Sequence, residues 1–244
     1  MIAKGARKEI GGGSMIRKMF EEGSRLAAQY GAENVYDFSL GNPDLEPPEA
    51  IKEALREDAA SKEPGLHAYM ANSGYEDVRA AVAAYETRRA GVPLSKDGVI
   101  MTVGAACAVT IALHSLCDPG DEVIVIKPYF TEYRQYVRLA GAKLVEADCD
   151  ERFQPDFASL EEKITDKTKV IIINSPNNPS GALYDEETLK RLQALLEDQD
   201  HTIYVLSDEP YRDIVYDGKA AAPVFKYIKN SLLAFSWSKS FALP

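Results

Sequence analysis

Cysteine is scarce in this 244-residue chain: Cys107, Cys117 and Cys149 are scattered, with no Cys-x-x-Cys pair. An odd, dispersed set argues against a disulfide framework or a thiolate metal site and fits a reduced, cytoplasmic setting. Histidine is equally thin. His67, His114 and His201 lack ligand spacing and read as core or surface side chains, so no metal is expected. No apolar run approaches the roughly 18 residues of a membrane helix. Lys4, Arg7 and Lys8 are not followed by the apolar stretch of a secretory signal. Positive charge is in deficit, with 28 Lys+Arg against 38 Asp+Glu and a net charge of −10. That balance disfavours nucleic acid or an anionic membrane as partner. Neither Gly-x-Gly-x-x-Gly nor Gly-x-x-x-x-Gly-Lys-Ser/Thr stands at a strand end, which removes the common nucleotide loops.

What remains is ordinary globular material, 45% apolar and 27% charged, long enough for one large domain or two smaller ones. Residues 1–13 end in three glycines and read as an arm. Ser14 then caps a helix with Ile16, Met19, Phe20, Leu26, Ala27 and Tyr30 at helical spacing, stopped by Gly31. A short strand is predicted over Val35–Leu40, a loop at Gly41-Asn42-Pro43-Asp44, and a helix opened by Pro47-Pro48. Another helix spans Tyr75–Ala90. From there, apolar runs alternate with helical patterns. The runs are Val99–Val103, Val123–Ile126, Lys143–Ala147, Val170–Ile173, Ile203–Leu206 and Leu232–Phe235. The helices between them are Ala105–Cys117, Thr131–Ala140 and Glu186–Glu197. This alternation predicts an α/β fold, a mostly parallel central sheet with helices on both faces. Ligands of such sheets sit outside the carboxyl ends of the strands.

The residues at those ends carry chemistry. Gly104-Ala105-Ala106 opens a helix with small residues, so backbone N–H groups can approach an anion; packing in a tight turn is the plainer use. Phe130 follows Pro128 by two residues and offers a flat face, or simply a core ring. Asn174-Ser175-Pro176-Asn177-Asn178-Pro179-Ser180-Gly181 fixes an irregular loop with amide donors. Asp208, in Ser207-Asp208-Glu209-Pro210-Tyr211, is either a helix cap or a carboxylate aimed into the crevice and in need of a cation. Lys239, in Ser236-Trp237-Ser238-Lys239-Ser240, becomes a carbonyl nucleophile if partly desolvated. Taken singly, each has a structural explanation. Together they describe pyridoxal 5′-phosphate, which needs a lysine for its imine and an acid to keep the pyridine nitrogen protonated.

These residues resemble the class I/II aminotransferases, fold-type I pyridoxal-phosphate enzymes, from about Tyr36 to Pro244. The resemblance rests on Ser-Pro-Asn-Asn-Pro-Ser-Gly (175–181), Asp-Glu-Pro-Tyr (208–211) and Ser-Trp-Ser-Lys (236–239). It is supported by Leu40-Gly41-Asn42-Pro43-Asp44, by Tyr69 followed by Gly74, by Gly104-Ala105, and by Pro119-Gly120-Asp121-Glu122-Val123. It implies that Lys239 is the Schiff-base lysine and proton carrier, and that Asp208 pairs with the pyridinium. It also implies that Tyr211 and Asn178 donate to the phenolic oxygen, that Phe130 stacks, and that Ala105, Ala106 and Ser236 bind phosphate. Tyr69 would reach the phosphate of a neighbouring subunit in a homodimer. Gly41, with Asn178, would lie on the substrate side, Gly41 through a backbone contact to the substrate carboxylate.

The implied activity is amino-group transfer between an L-amino acid and a 2-oxo acid. A carbon–sulfur β-lyase or related eliminating enzyme is the alternative on the same residues, and a pyridoxal-binding regulator lacks the basic DNA-binding segment it would need. One departure stands out: the chain stops at Phe241-Ala242-Leu243-Pro244, where the family continues with Gly, any residue and Arg. The expectation is therefore a partial chain without its C-terminal small domain, its two anion-binding arginines and an interior antiparallel strand. Independent stability and turnover would then both be poor. The expected division is an N-terminal arm and small-domain segment over 1–46, and an incomplete cofactor-binding domain over 47–244.

Overall fold

The computed structural model describes residue 2, residues 15–39, residue 41 and residues 45–243. The Ser14 cap, Leu40 and the Asn42-Pro43-Asp44 turn lie outside the described residues. The chain divides into two compact units, Met1–Glu46 and Pro47–Pro244.

In the first unit, helix α1 (Met15–Tyr30) ends where Gly31 takes φ +91°, its N–H bonding back to the Ala27 carbonyl at 3.0 Å. The Asn34 side chain donates to the Tyr30 carbonyl at 2.8 Å and satisfies part of the last turn. The strand expected over Val35–Leu40 does not form. Residues 35–39 join no ladder, and Tyr36 and Phe38 are exposed, because alternating apolar residues make a strand only when a neighbour accepts their backbone bonds.

The second unit begins with α2 (Glu49–Ala60) and α3 (Glu76–Ala90), the latter stopped by Gly91 in the left-handed region at φ +68°. Helix α4 (Gly104–Leu116), strand β1 (Glu122–Ile126), α5 (Tyr133–Leu139) and β2 (Lys143–Ala147) follow. Then come α6 (Phe157–Lys163), β3 (Thr168–Asn174), α7 (Glu186–Glu197), β4 (Tyr204–Asp208), α8 (Val224–Tyr227) and β5 (Ser231–Ala234). The five strands lie in the order β2-β1-β3-β4-β5, all parallel.

Strand alternation divides the core between the two faces of this sheet. Val123, Val125, Val170, Ile172 and Leu206 pack with α4 and α5 through Val109, Leu113, Tyr133 and Val137. Ile124, Ile126, Ile171, Ile173 and Val205 pack with α6, α7 and α8 through Leu160, Leu189, Leu192 and Val224. Burial on both faces is why these strands read as continuous apolar runs rather than alternating ones.

Three details depart from expectation. Val99–Val103 is not a strand. Ile100 and Val103 are exposed, the Met101 N–H is taken by the Ser73 carbonyl at 2.9 Å, and no strand among the described residues lies alongside. Helices α6 and α8 were not expected, being short. Asp156 nonetheless caps α6 by accepting from the N–H groups of Ala158 and Ser159. Helix α5 is also shorter than the Thr131–Ala140 pattern suggests.

Candidate active site

The parallel register brings three strand ends into line. Asn174 closing β3 stands opposite Asp208 closing β4, and Asp208 stands opposite Ala234 closing β5. Above this rim lies a cavity of about 550 Å³ lined by Ala105, Ala106, Phe130, Asn178, Asp208, Tyr211, Ser236 and Lys239, among others. It sits at the carboxyl edge of the sheet, on the side where the strand order reverses between β1 and β3.

Asp208 is the most constrained member. The residue is only 7% exposed, and burial pushes its carboxyl up to about 6, opposed by a hydrogen bond that the Tyr133 hydroxyl donates to Oδ2 at 2.7 Å. The other oxygen, Oδ1, is buried and has no hydrogen-bond partner among the described residues. An acceptor so placed at the floor of a cavity calls for an N–H or cationic partner from a ligand. Burial, and the Asp208 charge beside it, hold the Tyr133 phenol well above its usual range, so its proton stays in place as a donor.

The 174–181 loop is tied to the same strand end. Asn174 Nδ2 donates to the Asp208 carbonyl at 2.7 Å, and Asn174 Oδ1 accepts from the Asn178 N–H at 2.6 Å. Asn178 Nδ2 then donates to the Tyr211 hydroxyl at 3.2 Å. Burial raises the Tyr211 phenol, partly offset by that hydrogen bond. One strand-end asparagine thus sets where the two donors on the cavity wall meet.

Across the cavity, α4 begins at Gly104 with φ +74° and no side-chain cap on its first turn. The leading N–H groups of a helix have no partners within the helix. Small side chains at Ala105 and Ala106 leave them accessible, with Ser236 near by: a Cβ built on Gly104 would come within 3.9 Å of its hydroxyl oxygen. The Ser236 hydroxyl is itself held by donation to Ser238 Oγ at 3.0 Å. Phe130 stands edge-on to the Tyr133 ring with centroids 5.6 Å apart, which steadies its orientation.

Eight of the residues singled out from sequence therefore share one cavity. Tyr69 does not line it and is fully exposed. Gly41 belongs to the other unit, where it is exposed. Sequence reasoning gave no site role to Tyr133 or Tyr136, nor to Asn174 and Trp237 within the motifs that contain them. Tyr133 follows Phe130 by three residues, but an aromatic there reads equally well as core. Asn174 stood at the head of the asparagine-rich loop and was open to notice.

At the strand ends of this α/β fold, a carboxylate with an unpartnered oxygen, an amine, a paired amide and phenol and an uncapped helix start line one cavity. Aminotransferase class I and II matches residues 33–244, and the chain belongs to that family. It is 37% identical over 233 residues to the aspartate aminotransferase of Pyrococcus horikoshii, covering 94% of this chain and 57% of that one. Among solved structures, an amino transferase from Eubacterium rectale superposes with a TM-score of 0.94 at 43% identity, covering all of this chain and 63% of that one. The Thermus thermophilus aspartate aminotransferase with maleate gives 0.84 at 33% identity, covering 95% and 59%. The chain thus spans somewhat over half the length of these relatives.

Family members use pyridoxal phosphate, and the residues present fit it. The unpartnered Oδ1 of Asp208 suits a protonated ring nitrogen, and the uncapped α4 start with Ser236 suits a phosphate.

Proposed function

We propose that the chain is the cofactor-binding part of an aminotransferase, with the 47–244 segment as the cofactor domain and the 1–46 segment as arm and small-domain portion. The reaction is amino-group transfer between an L-amino acid and a 2-oxo acid. The observation that carries this reading is the buried, unpartnered Asp208 Oδ1 in the same cavity as Lys239.

When bound, pyridoxal phosphate supplies an aldehyde that condenses with amines and a pyridinium that withdraws electrons from the substrate Cα. Asp208 would hold the proton on the ring nitrogen, with Tyr133 keeping the carboxylate oriented and ionised. Asn178 and Tyr211 would donate to the ring hydroxyl oxygen, which sets the basicity of the neighbouring nitrogen. The Ala105 and Ala106 N–H groups and the Ser236 hydroxyl would bind phosphate, and Phe130 would cover one face of the ring. The Lys239 amine would hold the cofactor through its aldehyde and would serve as the base for the proton at the substrate Cα.

Tyr69, exposed in the single chain, is proposed to reach the partner's site in a homodimer, and Gly41 the substrate carboxylate. A dicarboxylic substrate is supported by a relative named for aspartate and another solved with maleate. A cytoplasmic setting is supported by three free cysteines, and no described helix is long and apolar enough to cross a membrane.

The test is the visible absorption of the purified chain with pyridoxal phosphate before and after borohydride. Permanent labelling of the Lys239 peptide is expected, and loss of the band in Lys239→Ala. A band that survives Lys239→Ala would refute the assignment. Stoichiometric exchange between two oxo acids, set against release of pyruvate and ammonia without an acceptor, separates transfer from β-elimination.

A further inference from the structure

Behind the cavity wall, four charged side chains are packed together. Arg212 is 4% exposed, Glu86 5% and Glu209 2%, with Arg89 at their edge. The Arg212 guanidinium donates to both carboxylate oxygens of Glu86 in α3, one of these bonds at 3.1 Å, and lies 3.6 Å from Glu209 Oε2. Arg89 stands 3.4 Å from the same Glu209 oxygen, and the Ser207 hydroxyl donates to Glu209 Oε1 at 2.9 Å. Two guanidiniums and two carboxylates cancel, so the cluster is neutral as a whole.

Buried ion pairs of this kind contribute little net stability over apolar packing of the same volume, because desolvation offsets their attraction. What a bidentate guanidinium provides is direction. Two neighbours on the chain diverge here. Tyr211 lines the cavity, while Arg212 is turned away into the charged cluster.

The guanidinium also lies 3.7 Å from the centroid of the Phe235 ring. Phe235 is the first residue after β5 and packs edge-on against Trp237, centroids 5.3 Å apart. Ser236, Trp237 and Lys239 line the cavity on that side. A backbone bond from Glu209 N–H to the Ala234 carbonyl at 2.9 Å joins the same two segments one step below.

We propose that Arg212 is a positioning residue that fixes the 208–211 wall, with its carboxylate and phenol, against the 235–239 wall, with its hydroxyl and amine. Glu86 clamps one side of the guanidinium and the Phe235 ring covers its face. The planar cation is thus shared by both walls, and the spacing between Asp208 and Lys239 is set from behind. The consequence for cofactor binding rests on the functional reading above; the mechanical coupling of the walls does not.

Two measurements on the full 244-residue chain test this. Amide hydrogen exchange reads the walls without any ligand, and titration with pyridoxal phosphate reads their spacing. In Arg212→Met, exchange should accelerate by roughly tenfold in both 208–212 and 235–239 while β1 and β2 keep their protection. The dissociation constant should rise by a similar factor. Phe235→Leu leaves every ion pair intact and should loosen both segments by a smaller factor. It decides the matter if Arg212→Met does not fold. A salt bridge that merely stabilised the chain would change exchange everywhere or around 209–212 alone. Acceleration confined to one wall in both variants, or cofactor affinity within twofold of the unmodified chain alongside it, would overturn the brace. If the unmodified chain takes up no pyridoxal phosphate, the functional reading falls, and the exchange pattern still judges Arg212.

Discussion

Asp208 carries an electrostatic cost that the rest of the site is arranged around. Its carboxyl titrates at about 6 in the fold, against an ordinary 3.8. Below both values the side chain is neutral in both states and costs nothing. Between the two values the unfolded chain releases its proton while the fold keeps it, so stability falls as pH rises from about 3.8. The loss is complete above about 6, where the fold holds a buried anion that the unfolded chain solvates freely. At pH 8 this contribution lowers stability by on the order of 3 kcal/mol. Asp208→Asn should therefore leave stability unchanged near pH 3 and raise it at pH 8, as urea denaturation at the two pH values will show, while abolishing cofactor uptake. Equal effects at both pH values would contradict the assignment. Tyr133→Phe removes the hydroxyl that donates to Oδ2, so it should raise the carboxyl further and cost about 1.5–3 kcal/mol at pH 8, where the acceptor is charged. The strand-end position of Asp208 beside the cavity was legible from its place after an apolar run. Tyr133 was not, because nothing local says that a tyrosine in α5 will meet an aspartate 75 positions later.

At the level of elements, the most legible ones have their signals within a single turn. Asp185 caps α7 by accepting from the Thr188 N–H at 2.8 Å, and apolar spacing fixes the buried face, so the expected bounds Glu186–Glu197 are the observed ones. Leu192, 1% exposed, fills the sheet face opposite α4 and α5. Leu192→Ala should cost about 2–5 kcal/mol in chemical denaturation while leaving pyridoxal phosphate affinity unchanged, since it opens a void remote from the cavity. Strands were less secure. Five apolar runs found neighbours and became β1–β5; Val99–Val103, of the same composition, found none among the described residues and remained irregular.

For the molecule as a whole, β5 has β4 on one side and no described strand on the other. The Asn230 and Ala234 carbonyls face β4, each accepting at 2.9 Å, so alternation turns the Leu233 N–H outward. Beside it a cleft of about 200 Å³, lined by Val99, Ile100, Leu233, Phe235 and Trp237, exposes apolar surface. An open edge over an apolar cleft favours association, and a net charge of −10 opposes it. Sedimentation should show self-association that strengthens with protein concentration and with salt, as screening removes the repulsion. Leu233→Pro should weaken it by removing the outward donor. A monomer at every salt and concentration would contradict this.

Motif order and local periodicity, both readable along the chain, already pointed to a pyridoxal-type cavity at the carboxyl ends of a parallel sheet. They could do so because strand-end residues are adjacent in sequence to the runs that place them. Which runs paired, which oxygen of Asp208 stayed unpartnered, and how Arg212 came to lie between Glu86 and Phe235 depended on contacts between distant segments. Burial and charge neighbours are properties of the packed chain, and no stretch of residues read alone contains them.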